Sequence, residues 1–170
     1  MPYASASGLL ECPCVFSSRK GGADEVRVVV DASVSLKWVF DDEEHVEEAI
    51  ALRDAAVFEH SFEMFAPSLW VYEIANGLLV AVCRGRIFVD VGEEALRHLL
   101  ALGVRLADPE PADVYRCAFR YRISAYDAAY LALAEQLDAV LFTGDGRFYA
   151  AVQELVPRVR WIGEFGKGKP

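Results

Sequence analysis

Histidine and cysteine are scarce in this sequence, with three His and four Cys in 170 residues. Cys12-Pro13-Cys14 could be half of a metal site, but no second Cys or His pair completes it. No disulfide framework is implied by cysteines at 12, 14, 83 and 117, so a reducing, cytoplasmic setting is expected. Cys83 and Cys117 fall inside apolar helical patterns and read as core thiols. His45, His60 and His98 stand in amphipathic or polar stretches without a visible Ser or Cys partner, so they read as surface residues rather than catalysts. Basic residues are also in short supply, 17 against 26 acids, a net charge of −9. That balance argues against a protein that coats nucleic acid by charge alone. An acidic chain that meets phosphates needs a divalent cation between them. Long apolar runs are missing too. The nearest, Phe65 to Cys83, is broken by Pro67, Ser68, Glu73 and Asn76 and reads as a buried helix rather than a membrane span. The N-terminus has no basic start followed by an apolar stretch, so no signal peptide is expected.

What is present is apolar bulk. Hydrophobic residues make up 54% of the chain, with 3 Trp, 7 Tyr and 10 Phe. This excludes a disordered chain, a collagen or a coiled coil, and the length suits one domain with a full core. The apolar surplus, with Trp38 and Trp70 in the first two helical regions, leads to the expectation of a homodimer that buries apolar helix surface. Residues 1–25 are rich in Ser, Gly, Ala and Pro without any period and read as a poorly ordered extension, leaving a domain over 26–165. Strands are expected over 26–30, 63–66, 104–106, 139–142 and 159–162. Helices are expected over 34–40, 42–57, 67–84, 92–102, 111–121, 124–137 and 145–155. Strands separated by helices make this an α/β sandwich around a parallel sheet.

Four acids lie where solvent should be scarce. Asp31 ends Val28-Val29-Val30, and Glu73 sits mid-helix among apolar neighbours. Asp127 precedes a run from Ala128 to Ala134, and Asp145 follows Leu141-Phe142-Thr143-Gly144. A buried carboxylate needs a proton, a partner or a cation. Asp31, Asp127 and Asp145 could each merely cap a helix, whereas Glu73 is too far from its helix start to do so. Asp31 and Asp145 both follow strand ends, the edge at which open parallel sheets bind ligands. Acids converging there would repel unless Mg²⁺ or Mn²⁺ neutralised them, and no nearby His or Cys suggests zinc. Ser33, Asn76 and Thr143 accompany the acids at short spacing and could orient them.

These same stretches resemble a known family. Val29-Val30-Asp31-Ala32-Ser33-Val34-Ser35-Leu36-Lys37-Trp38 is similar to the opening of PIN-domain ribonucleases of the VapC toxin type. Pro67 to Asn76, Ala125 to Glu135 and Leu141 to Asp145 resemble the family's second, third and fourth motifs, in family order and with family-like spacing. The resemblance implies a three-layer α/β/α fold and a Mg²⁺- or Mn²⁺-dependent endoribonuclease, the toxin of a toxin–antitoxin pair. Asp31, Glu73, Asp127 and Asp145 would form its catalytic metal pocket, with Ser33, Asn76 and Thr143 as polar companions. The implied partners are RNA, a small antitoxin protein and a second copy of the chain. Lys37, Arg84, Arg86, Arg116, Arg120 and Arg147 are candidate RNA contacts. The rival reading is a PIN-like module that acts through protein partners without cutting RNA. A phosphoacceptor domain built on Asp31 fits less well, because no paired acid precedes it.

Overall fold

The computed structural model describes residues 26–167; the Cys12 and Cys14 pair and the extension expected over 1–25 lie outside them. β-Branched side chains dominate the first strand, β1 (Arg27–Val30), which pairs in parallel with β2 (Glu63–Ala66) on one side and β4 (Val140–Thr143) on the other. The short β3 (Arg105–Leu106) extends the sheet beyond β2, and β5 (Val159–Trp161) extends it beyond β4. All pairings are parallel, in the order β3-β2-β1-β4-β5.

Successive residues of β1 serve opposite faces, as the strand period of two requires. Val28 and Val30 pack with Ala49 and Leu52 of α2 (Val46–Val57), and with Met64 and Ile162. Val29 packs into the larger cluster with Trp70, Ile74 and Leu78 of α3 (Leu69–Cys83), and with α6 (Ala125–Leu137). Ala128 to Ala134 are all buried, and their small side chains allow α6 to lie close against the sheet. The remaining helices are α1 (Ala32–Leu36), α4 (Val89–Ala101), α5 (Pro111–Tyr121) and α7 (Gly146–Val152). The result is the expected α/β/α sandwich around a parallel sheet.

Boundaries differ from expectation where local backbone geometry intervenes. α1 ends at Leu36, because Lys37, Trp38 and Val39 donate to carbonyls three residues back and the chain tightens into turns. α2 starts at Val46, later than expected, behind His45 at φ 61°. Gly85 and Gly103, at φ 71° and 81°, close the turns after α3 and α4 in the left-handed region that glycine enters without strain. α4 begins at Val89, a turn earlier than the pattern suggests.

Two readings of the core are corrected. Cys117 is buried as expected, but Cys83 is exposed. Helical spacing puts it on the outward row of α3 with Tyr72, Asn76 and Leu79, and α3 is apolar on too many sides for its phase to be read from sequence. Trp70 is 1% exposed and donates from its indole Nε1 to Ser35 Oγ at 3.0 Å, while Trp38 donates to the Ala49 carbonyl at 2.8 Å. Trp70 is therefore an internal strut and not dimer surface, whereas Trp38 is half-buried with its indole tied to α2. His60 and His98 are exposed as expected; His45 is half-buried, its ring edge-on to Trp161. No helix among the described residues is long and apolar enough to cross a membrane.

Candidate active site

The sheet order creates the site. From β1 the chain moves outward through β2 to β3, then returns to place β4 on the other side of β1. The helices after β1 and β4 pack on opposite faces, α2 against Val28 and Val30, α7 through Phe148 with the Val29 cluster. The loops that leave these two neighbouring strands thus part at their carboxyl ends and open a crevice. Asp31 directly follows β1 as the cap of α1, and Asp145 follows β4 one residue further on as the cap of α7.

Hydroxyl groups stitch the two loops together. Asp31 Oδ2 accepts from Ser33 Oγ at 2.8 Å and from Thr143 Oγ1 at 2.6 Å. Ser33 Oγ accepts from the Gly144 amide at 2.9 Å, and Thr143 Oγ1 accepts from the Asp145 amide at 3.0 Å. Asp31 also takes the Ser33 amide on Oδ1 at 3.4 Å, so it caps α1 while it faces β4. Burial pushes its carboxyl pKa up, the two hydroxyls and the Ser33 amide oppose that shift, and the charge of Asp145 adds to it. Asp145 is exposed and caps α7, its Oδ1 accepting from the Arg147 and Phe148 amides at 2.8 and 3.0 Å.

Glu73 and Asp127 approach from the helical layer. Glu73 is half-buried on α3, and Tyr130 donates its phenolic proton to Oε2. Burial raises the Glu73 carboxyl, the Tyr130 bond lowers it, and the charges of Asp31 and Asp127 raise it further. Asp127 accepts from Ser124 Oγ at 2.8 Å on Oδ2, and its amide donates back to Ser124 Oγ at 3.0 Å. The four acids are thus close enough to feel one another: Asp31 with Asp145, and Glu73 with Asp31 and Asp127. Capping and convergence coexist, since the bonds that fix a helix start also fix where its carboxylate points.

Asn76 does not join this network; it is exposed one turn beyond Glu73, with no side-chain hydrogen bond among the described residues. Tyr130 was not singled out from the sequence. It lies three residues after Asp127, one helical turn on, and that spacing is the signal that could have found it. Among the basic candidates, Lys37 is buried and paired with Glu43 at 3.2 Å. Arg86 is held by Asp42 and Glu43 over the Phe40 ring, and Arg116 by Asp113.

The donors here are all oxygen, negatively charged and mutually repelling, which suits a hard divalent cation and not zinc. Among the described residues, no three His, Cys, Asp or Glu side chains are gathered tightly enough to hold an ion unaided. Mg²⁺ does not require such a cage, because it keeps several waters and binds through one or two carboxylates.

Comparison with known proteins identifies the family and the fold. The PIN domain family model matches residues 28–153. Ribonuclease VapC3 of Pyrobaculum aerophilum is 32% identical over 124 residues, 71% of this chain and 90% of that protein. Ribonuclease VapC9 of Mycobacterium tuberculosis is 32% identical over 130 residues, 76% of this chain and 94% of that protein. The crystal structure of PAE2754 from Pyrobaculum aerophilum superposes with a TM-score of 0.61 at 25% identity, covering 81% of this chain and 92% of that one. A crystal structure of FitAcB from Neisseria gonorrhoeae shares the fold at 22% identity, with a TM-score of 0.50 over 73% of this chain and 92% of that one. With a family model matched over most of the described residues and relatives of 32% identity covered over more than two thirds of this chain, the chain belongs to the PIN-domain family, alongside the VapC ribonucleases.

Proposed function

We propose that this chain is an endoribonuclease of the VapC toxin kind, hydrolysing RNA phosphodiester bonds with Mg²⁺ or Mn²⁺ held by Asp31, Glu73, Asp127 and Asp145. The observation that carries the reading is the hydroxyl-stitched pair of loops that sets Asp31 and Asp145 side by side at the switch point. The bound cation would supply charge neutralisation and an acidified water for attack on phosphorus. The chain's own residues do the positioning. Ser33 and Thr143 fix the Asp31 carboxylate, Tyr130 fixes that of Glu73, and Ser124 fixes that of Asp127. Such supports around ligating carboxylates hold the geometry on which hydrolysis depends. The test is cleavage of single-stranded RNA by the full chain in Mg²⁺ or Mn²⁺, with chelator as control. Cleavage that stops with chelator is expected; binding without cleavage under every metal condition would leave only the partner-binding module.

The proposal extends to partners: a small antitoxin protein that restrains the nuclease, and a second copy of the chain. The outward side of α3 and the start of α4 expose Tyr72, Leu79, Phe88 and Val89, the last two at 80% and 61%. An apolar surface of this kind is ordinarily covered. Light scattering at micromolar concentration should give twice the chain mass of 18.8 kDa, and Leu79→Glu should shift it toward the monomer. A monomeric mass for the unaltered chain would remove the homodimer.

A further inference from the structure

Beside the acidic cluster lies an open cleft of about 430 Å³, lined by Arg122 and Asp127 from the α5–α6 turn and the start of α6 and by Asp145 and Arg147 from the start of α7. Two features of the arginines stand out. First, among the described residues neither guanidinium has an ion-pair partner, although Asp127 and Asp145 line the same cleft. Second, Arg122 stands at φ 54°, ψ 42° at the end of α5, a left-handed position that glycine or asparagine fills with less strain. The Ile123 amide donates to the Ala118 carbonyl to close that turn, a bond that glycine at 122 would serve equally well. The backbone therefore gives no reason for an arginine there. A strained, unpaired cation beside an acidic reaction centre is best explained by what its side chain reaches.

We propose that Arg122 and Arg147 form a phosphate-binding subsite for the RNA strand, gripping the backbone next to the bond that the acids address. This rests on the nuclease reading given above. Arginine's planar fork matches phosphate oxygens in pairs, so two of them flanking one cleft fix the direction of a strand as well as its affinity. They also answer the difficulty posed by a chain of charge −9. Each carboxylate in the cleft has an arginine close to it in the chain, so the polyanion meets a cation beside each acid. Backbone contacts of this sort position without reading sequence, so the effect should be uniform across RNA sequences. An acidic peptide segment of a protein partner is the competing occupant. The cleft favours RNA because Asp127 and Asp145 share it with the arginines, and the nuclease reading gives those acids a use beside a phosphate and none beside a peptide carboxylate.

The test uses the full chain in the Asp31→Asn background, so that RNA survives, with fluorescence anisotropy of a labelled single-stranded RNA across a salt series. Arg122→Gly and Arg147→Ala are each expected to weaken binding about tenfold. Each should also flatten the dependence of log affinity on log salt by about 0.7, the single-strand value for one lost phosphate contact. Arg122→Gly should melt no lower than its parent, because glycine takes the left-handed backbone without strain. Unchanged affinity and salt slope would overturn the subsite, as would a loss of affinity matched by a fall in melting temperature. Loss of binding to a polyglutamate peptide, with RNA binding intact, would assign the cleft to an acidic partner and equally overturn it. A wild-type chain that grips RNA through these arginines yet leaves it uncut overturns the nuclease reading and keeps the subsite. Cleavage whose KM and salt slope ignore both arginines does the reverse.

Discussion

Asp31→Asn, Glu73→Gln, Asp127→Asn and Asp145→Asn should each lower metal-dependent cleavage of single-stranded RNA by about 100-fold or more. Residues that only support metal ligands already cost up to about that much when changed. The substitutions remove charge and little else. Asparagine caps helices about as well as aspartate, so the bonds from Ser33 to residue 31 and from Arg147 and Phe148 to residue 145 can persist. The Glu73→Gln side chain still offers Tyr130 an oxygen, and the Asp127→Asn side chain still offers one to Ser124. If the four act on one ion and one water, their losses do not add, and a double substitution should be little worse than the worse single one. The capping reading predicts chemistry nearly intact and stability lowered by no more than about 0.5–2 kcal/mol, the cost of losing a cap altogether. Wild-type turnover from one folded variant would return that residue to a structural role, capping for Asp31, Asp127 or Asp145 and the Tyr130 bond for Glu73. Wild-type turnover from all four would end the nuclease reading.

Sheet and site were legible to different depths. Strand positions followed from short β-branched runs and the parallel sheet from their alternation with helices, because burial on both faces leaves Val28-Val29-Val30 no polar partner to alternate with. The two loop acids were legible because a carboxylate directly after a buried strand has few structural uses. Asn76 was placed beside Glu73 by spacing alone; it is exposed and makes no side-chain hydrogen bond among the described residues, so the hydroxyls of Ser33 and Thr143, not its amide, hold the acids. Lys37 looked like a free cation but is buried against Glu43, a pairing across a turn that no helical period encodes. Arg122 was invisible in sequence for a different reason. Its distinction lies in a left-handed backbone and an unpaired guanidinium, and both depend on where α5 stops against α6.

Without metal, the chain should be stabilised by losing its central acid. The Asp31 carboxyl is raised chiefly by burial, and that of Glu73 by burial and then, against the Tyr130 bond, by the charges of Asp31 and Asp127. A carboxyl whose folded pKa lies above its unfolded one contributes stability that is complete below the unfolded value, about 4, and is lost as pH climbs through the raised folded value. In chelator the wild type should therefore melt progressively lower as pH rises from about 4 toward neutrality, as far as these two groups govern it. Asp31→Asn removes the more deeply buried of these two charges. It should melt higher than wild type in chelator at neutral pH, with a flatter pH profile, while Asn keeps the cap. Mn²⁺ then reverses the order. Binding to the native state alone adds about 2.7 kcal/mol at a hundred times the dissociation constant, roughly 5–10 °C for a chain of this size. The wild type should gain that shift and Asp31→Asn very little of it. Equal shifts in the two proteins would sink the metal assignment of Asp31. A lower melting temperature for Asp31→Asn in chelator would show that the Ser33 and Thr143 bonds outweigh the cost of burying the charge.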